Sequence, residues 1–147
     1  MQNLLDNKQM EQLHIVLESV FLANADENDE AETEKALVEA KDNANLGHWN
    51  LVANRLYYAV FHITSALLID KGFTAKSHNG IFCILGQEFV RKGLLDREDA
   101  KLASRLQNMR QSGDYDDMFD WTKDDVLPLF EKTENLIEKM KGLISVG

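Results

Sequence analysis

The fold is decided by the stretch WNLVANRLYYAVFHITSALLI, residues 49–69, which is the longest apolar-rich run of the chain. Its apolar residues fall on nearly every side of a helical wheel, as in a helix enclosed by neighbours. Asn54, Arg55 and His62 lie inside the run and would be costly in lipid, so a buried core helix is favoured over a membrane span. We therefore predict a central helix over about residues 48–71.

The other segments also predict helices, because the chain has a single proline and lacks the alternating patterns of strands. Helical spacing and capping residues place them at about residues 4–24, 29–46, 78–92, 96–112 and 124–143. Helix ends are marked by Gly47, Gly72, Gly93 and Gly113, and Thr122 to Asp125 resembles a capping box. The prediction is an all-α, up-and-down antiparallel bundle of four to five core helices plus an extra N-terminal helix. Residues 1–28 would form that helix and an acidic linker, and residues 29–147 the bundle domain.

Composition excludes several classes of protein. The lone cysteine, Cys83, cannot form an intramolecular disulfide, and its apolar neighbours predict that it packs as a small hydrophobe. The four histidines are too dispersed for a zinc site, and no phosphate-binding glycine loop is present. We expect no metal and no cofactor. The N-terminal segment lacks the pattern of an export signal, so a cytoplasmic location is expected.

Charge is unevenly distributed along the chain. The net charge is −9, yet residues 71–110 hold eight Lys or Arg against four Asp or Glu. Within this region Arg97, Lys101 and Arg105 recur every four positions on one predicted helix. They could track a phosphate backbone, or form a solvated stripe interleaved with Glu98 and Asp99. A basic face on an acidic protein is compatible with both readings.

A polar stripe runs along the central helix. Asn54, Tyr58, His62 and Ser65 are spaced by four, four and three, and Arg55 lies beside them. Burying these groups unpaired would cost several kcal/mol. The stripe must therefore face a ligand cleft, or form a core hydrogen-bond network with Arg55 paired to an acid of the last loop.

Two further segments carry candidate ligand residues. Arg110 ends a predicted helix and could bind phosphate through two parallel hydrogen bonds, or form an ion pair with Asp114 that holds the turn. His78 follows Ser77, a plausible N-cap, and could contact phosphate or simply face solvent in the first turn.

Four motifs in order resemble the HEPN family, and the likeness spans about residues 30–143. They are ANRLYYAVFH at 53–62, KSHNG at 76–80, FVRKG at 89–93 and RQSGDY at 110–115. The resemblance implies a helical bundle that forms a homodimer with a cleft at its interface. Many HEPN proteins are metal-independent ribonucleases, whose arginine is followed four to six residues later by a histidine. Arg110 matches that arginine, but the position five beyond it is Tyr115.

The tyrosine changes the expected chemistry, because a phenol with a pKa near 10 is a poor general base at neutral pH. We therefore expect a nucleotide- or RNA-binding module without the usual ribonuclease dyad. The resemblance also implies a minimal nucleotidyltransferase as partner in a toxin–antitoxin-like system, with Tyr115 as a nucleotide acceptor. The cleft is predicted to involve Asn54, Arg55, Tyr58, His62, His78, Arg110, Asp114 and Tyr115. Two alternatives remain open at this point: an endoribonuclease in which His78 or Asp114 replaces the base, and a purely structural partner protein.

Overall fold

The computed structural model describes the backbone of residues 28–115 and 120–145, and the side chains of residues 29–111 and 120–145. The helices are α1 (Asn28–Asn45), α2 (Trp49–Asp70), α3 (His78–Ile84), α4 (Arg97–Tyr115) and α5 (Lys123–Ser145), and α3 continues into a π-helical turn (Leu85–Val90). These ranges contain no strand, so the all-α prediction is confirmed. The helix predicted over residues 4–24 and the segment 1–28 fall outside the described residues, apart from the first residue of α1.

Helix α2 is the centre of the bundle. Its residues Val52, Leu56, Val60, Ile63 and Leu67 have no exposed surface, and α1, α4 and α5 pack around them. In the described part of the chain, α2 alone has the length and composition to cross a membrane, and two thirds of its most apolar window is buried in the bundle. Its apolar surface is therefore used by the core.

Ion pairs between α1 and α5 show that these two helices run antiparallel. Lys41 lies 3.9 Å from Glu134, whereas Glu34, nearer the start of α1, pairs with Lys141, nearer the end of α5. Both pairs are substantially exposed, so they contribute little free energy and mainly report the helix order.

Three of the four predicted glycine stops are confirmed. Gly47, Gly72 and Gly93 have φ values of 76°, 81° and 80°, the left-handed conformation that ends a helix and that glycine adopts without a steric penalty. The prediction for Gly113 is wrong, because the backbone of α4 continues helically through it to Tyr115. Glycine interrupts a helix only where the chain turns left-handed, and inside a continuing helix it costs about 1 kcal/mol relative to alanine.

The helix predicted over residues 78–92 is less regular than expected. Ser77 caps α3 by accepting a hydrogen bond of 3.0 Å from the Gly80 N–H, as expected, but the α-helix ends at Ile84 and the π-helical turn follows. Ile81, Leu85 and Phe89 face the core. Cys83 is exposed, contrary to the expectation that it packs, because this surface helix buries only one side.

The start of α5 has the capping geometry that the sequence predicted. The Thr122 N–H donates to Asp125 Oδ2 at 3.0 Å, and the Asp125 N–H donates to Thr122 Oγ1 at 3.4 Å. The Thr122 hydroxyl also donates to Asp125 Oδ2 at 2.9 Å. The bonds that the backbone N–H and the hydroxyl of Thr122 donate to the Asp125 carboxyl hold its pKa below the ordinary value. Asn50 of α2 anchors the preceding loop, since its side chain donates to Asp120 and accepts from the Trp121 backbone N–H.

Candidate functional site

Arg110 and Tyr58 meet between α4 and α2. Arg110 Nη2 donates a hydrogen bond of 3.1 Å to the Tyr58 hydroxyl, and its guanidinium carbon lies 5.6 Å from the ring centroids of Tyr57 and Tyr58. The core residues Leu106 and Met109 fix the last described turns of α4 against the bundle, because both are almost fully buried. Arg110 and Tyr58 are themselves half-buried, so a ligand in solvent can reach them.

His78 reaches the same place from the start of α3. Its Nδ1 is hydrogen-bonded to the Tyr57 hydroxyl at 3.0 Å, and its ring centroid lies 4.1 Å from that of Phe61. Tyr57 and Phe61 are each 1% exposed, so they form a rigid floor beneath the imidazole. Gln107 of α4 reinforces this junction, because its side-chain amide donates to Asn79 Oδ1 at 2.6 Å.

Arg55 brings a second guanidinium to Tyr58. Its guanidinium carbon is 5.0 Å from the Tyr58 ring centroid, and its Nε donates a hydrogen bond of 2.9 Å to Asn54 Oδ1. Glu39 of α1 lies 3.8 Å from Arg55 Nη1. α1 packs along this part of α2 and supplies a carboxylate to Arg55. The alternative that Arg55 pairs with an acid of the last loop stays a prediction, because the side chains of residues 112–119 lie outside the described part of the chain.

We call the group formed by Arg55, Tyr57, Tyr58, His78 and Arg110 the arginine cluster. It gathers two permanent cations and an imidazole around two tyrosines, with Glu39 as the nearest acid whose contact is described. Guanidinium groups bind phosphate and carboxylate through paired hydrogen bonds, and they stack on flat rings. The arrangement therefore suits an anionic ligand that carries a planar group, such as a nucleotide.

His62 has a partner on α1. Its Nδ1 lies 2.9 Å from Asp29 Oδ1, and Asp29 is 3% exposed. The second carboxylate oxygen of Asp29 is also buried, and it has no hydrogen-bond partner among the residues that the structure describes. The His62 ring is 6.4 Å from the Tyr58 ring, so the His62–Asp29 pair lies beside the arginine cluster and joins α1 to α2.

This pair makes His62 important for stability. Replacing His62 with leucine is expected to lower the free energy of unfolding by about 1–3 kcal/mol, because Asp29 would lose its hydrogen-bond partner while remaining buried. The double variant Asp29→Leu/His62→Leu should recover most of that loss, since the buried carboxylate is removed together with its hydrogen-bond partner. Urea unfolding of the three proteins measures this, and an equal loss in the single and double variants would contradict the interpretation.

The structure brings together four of the predicted site residues, Arg55, Tyr58, His78 and Arg110, with Asn54 holding Arg55. The side chains of Asp114 and Tyr115 lie outside the described residues, so their roles and the predicted Arg110–Asp114 ion pair stay predictions. Sequence reasoning missed Tyr57, Glu39 and Asp29. Tyr57 could have been found, because a tyrosine on an enclosed helix usually needs a partner for its hydroxyl.

Among the described residues, no group of three or more His, Cys, Asp or Glu side chains is placed to hold a metal ion. The cations of the arginine cluster would also repel a metal. The donor set of the described site is therefore one for anions, supplied by guanidinium, hydroxyl and imidazole groups.

Comparison with known proteins gives several matches. Residues 31–143 match the family model described as the HEPN domain. A Thermotoga maritima protein named UPF0332 protein is 33% identical over 91 residues, which are 62% of this chain and 69% of the relative. A Methanocaldococcus jannaschii protein named "Putative toxin MJ0142" is 29% identical over 108 residues, 74% of each chain. Another protein of that organism, "Putative toxin MJ0605", is 34% identical over 61 residues, 42% of this chain and 46% of the relative.

Proposed function

The chain belongs to the HEPN domain family, and from this premise we propose that it is a homodimeric, cytoplasmic module that binds nucleotide or RNA in a toxin–antitoxin-like system. The range that matches the family model contains the whole arginine cluster. Two similar proteins are named as toxins, which supports the same class of system for this chain. A minimal nucleotidyltransferase is the partner we propose, with Tyr115 as the hydroxyl that would accept a nucleotide.

One observation carries the proposal: Arg55 and Arg110, from two different helices, converge on the ring of Tyr58 at 5.0 and 5.6 Å. An anion bound at the Tyr58 ring would be attracted by both guanidinium groups, in addition to the contact that Arg55 makes with Glu39. A phosphate provides that charge, and a base provides a flat surface for the tyrosines and guanidinium groups.

Direct binding measurements test the proposal. A fluorescein-labelled single-stranded RNA should bind the wild-type protein in the presence of EDTA, and a nucleoside monophosphate should compete with it. Tyr58→Phe should weaken binding by about 2–10-fold, because Arg110 loses the hydroxyl that orients it, a loss of about 0.5–1.5 kcal/mol. Absence of binding by the wild-type protein, or unchanged affinity in a folded Tyr58→Phe variant, would contradict the proposal.

A second candidate function is a metal-independent endoribonuclease. The observation that favours it is that His78 and Arg110 both contact Tyr57, so an imidazole stands near the arginine although the motif histidine is replaced by Tyr115. When Nδ1 of His78 donates to the Tyr57 hydroxyl, Nε2 is the basic nitrogen and can take a proton from a ribose 2′-hydroxyl. Arg110 would then hold the phosphate that the resulting oxygen attacks, so that a 2′,3′-cyclic phosphate forms as the P–O5′ bond breaks. The departing 5′-oxygen takes a proton from the protonated His78 or from water.

Cleavage assays separate this candidate from a binding module. If the protein is a ribonuclease, incubation with mixed RNA in EDTA should give reproducible fragments. His78→Asn should then lower the cleavage rate by about 100-fold or more, as expected for loss of a general base. His48→Asn is the matched control, since His48 is exposed at the start of α2 and makes no side-chain capping bond. Cleavage that is absent, or equally fast in the His78→Asn variant, would exclude this role for His78.

A further inference from the structure

Two hollows lie side by side along the outer surface of α4. One has a volume of about 440 Å³ and lies between α4 and Trp121, and the other has a volume of about 500 Å³ and lies between α4 and α5. Lys101 and Arg105 line both, so the two hollows form one continuous surface, which we call the α4–α5 trough. On α4 the lining runs from Glu98 to Met109, which is 11 residues or about 16 Å at the rise of a helix.

The trough is basic although the protein is acidic. Its lining holds four cations, Lys101, Arg105, Lys132 and Lys139, against two acids, Glu98 and Asp99. By contrast, α1 carries six acidic side chains and two lysines. Among the described residues, α1 is thus a markedly acidic helix that does not line the trough, whereas the lining of the trough has an excess of cations that attracts anions.

Both acids of the trough are already paired. Glu98 lies 3.2 Å from Lys101, and Asp99 lies 3.0 Å from Lys139, whose pKa is raised by its hydrogen bonds to Asp99 and Asp96. Arg105 and Lys132, in contrast, have no carboxylate within 4.0 Å in the described part of the chain. The trough therefore offers at least two cations for phosphate groups.

An aromatic ring closes one end of the trough. Trp121 is held rigidly, because its indole N–H donates to the Met109 carbonyl oxygen at 3.1 Å and its backbone N–H donates to Asn50 Oδ1 at 2.7 Å. It is half-buried and lines the first hollow beside the polar side chains of Ser104 and Asn108. A fixed ring next to basic residues is the arrangement that stacks bases of single-stranded nucleic acid.

The trough is separate from the arginine cluster but lies next to it. Arg105 precedes Arg110 by five residues, which turns its side chain about 140° around α4 from that of Arg110. Met109, whose carbonyl oxygen holds Trp121, immediately precedes Arg110. The trough and the arginine cluster therefore lie on different sides of α4, and both reach its last described turns.

We infer that the α4–α5 trough is a second RNA-contact surface, where Arg105 and Lys132 bind phosphates of a single strand and Trp121 stacks one of its bases. This inference rests on the proposed function, because it extends the ligand of the arginine cluster beyond one nucleotide. Leu102, Leu129 and Leu136 on the floor would also suit an acidic amphipathic helix of a protein. The fixed tryptophan beside the two cations favours RNA.

The test compares a short and a long ligand. A labelled dinucleotide and a single-stranded RNA of about 12 nucleotides, within the range that one domain covers, are titrated against the wild-type protein and Arg105→Glu/Lys132→Glu. The variant should bind the long RNA about tenfold or more weakly and the dinucleotide within about twofold of wild type. The slope of log affinity against log salt for the long RNA should become less steep by about 1.4, since two phosphate contacts are lost.

The control is Lys35→Glu/Arg91→Glu, which changes the net charge by the same amount at two exposed residues outside the trough. It should leave the affinity for the long RNA within about twofold of wild type.

The inference fails if the trough variant and the control variant bind the long RNA with equal affinity. It also fails if the trough variant loses affinity for the long RNA and the dinucleotide by the same factor. It also fails if an acidic amphipathic peptide, and not RNA, loses affinity in the trough variant. If the proposed function itself were wrong, Arg110→Ala would leave dinucleotide binding unchanged, which is a result distinct from those of the trough variant.

Discussion

Replacing Arg110 with alanine is expected to weaken RNA and nucleotide binding by about 10–150-fold. Arg110 is half-buried and fixed by its hydrogen bond to Tyr58, so it meets an incoming phosphate without paying much side-chain entropy. A hydrogen bond to a charged group contributes about 1.5–3 kcal/mol, which corresponds to that range of affinity. Fluorescence anisotropy with labelled RNA measures the effect.

Arg97→Ala is the matched control for this change. Arg97 stands at the other end of α4, is exposed, and does not line either hollow of the trough. Its removal costs the same formal charge, so an affinity within about twofold of wild type is expected from long-range electrostatics alone. Equal losses in the two variants would mean that Arg110 acts only through net charge, and the arginine cluster would no longer be the binding site.

Phe61→Ala is expected to have the largest effect on stability, about 3–5 kcal/mol. The Phe61 ring, on α2, is 1% exposed. Its centroid lies 4.1 Å from that of the His78 imidazole and 6.3 Å from that of the Tyr57 ring. Its loss would leave a cavity in the centre of a domain whose total stability is about 5–15 kcal/mol. Urea unfolding followed by circular dichroism gives the change in unfolding free energy.

Two comparisons make this prediction specific. Phe61→Leu should cost less, about 1–2 kcal/mol, because most of the apolar volume remains. Phe82→Ala should also cost less, because the Phe82 ring on α3 is only half-buried. If Phe61→Ala were no more destabilising than Phe82→Ala, Phe61 would not be the structural support of the arginine cluster.

Much of the fold was predictable because its determinants are local. Apolar residues on every side of residues 49–69 identified the central helix, and three glycines ended helices where the backbone φ is positive. The errors also have local causes. Gly113 lies inside a continuing helix, and Cys83 lies in an apolar run of which only Ile81 and Leu85 are fully buried. Composition does not tell which side of a short surface helix faces the core.

The candidate site was predictable only as a set of residue types. Asn54, Arg55, Tyr58, His78 and Arg110 were identified because polar groups on an enclosed helix and an arginine at a helix end need partners. Their contacts were not predictable, and the carboxylate that Glu39 places beside Arg55 was not expected. Glu39 and Asp29, which pair with Arg55 and His62, come from an acidic helix in which no single carboxylate stands out.

The sequence by itself determined the helices, most of their ends and the family, because hydrophobic periodicity, capping and motif order are properties of neighbouring residues. The tertiary structure alone decided which side chains meet. Arg110 and Tyr58 are 52 residues apart, His78 and Tyr57 are 21 apart, and His62 and Asp29 are 33 apart. Such contacts depend on how whole helices pack against one another, and the packing is set by the burial of the entire core.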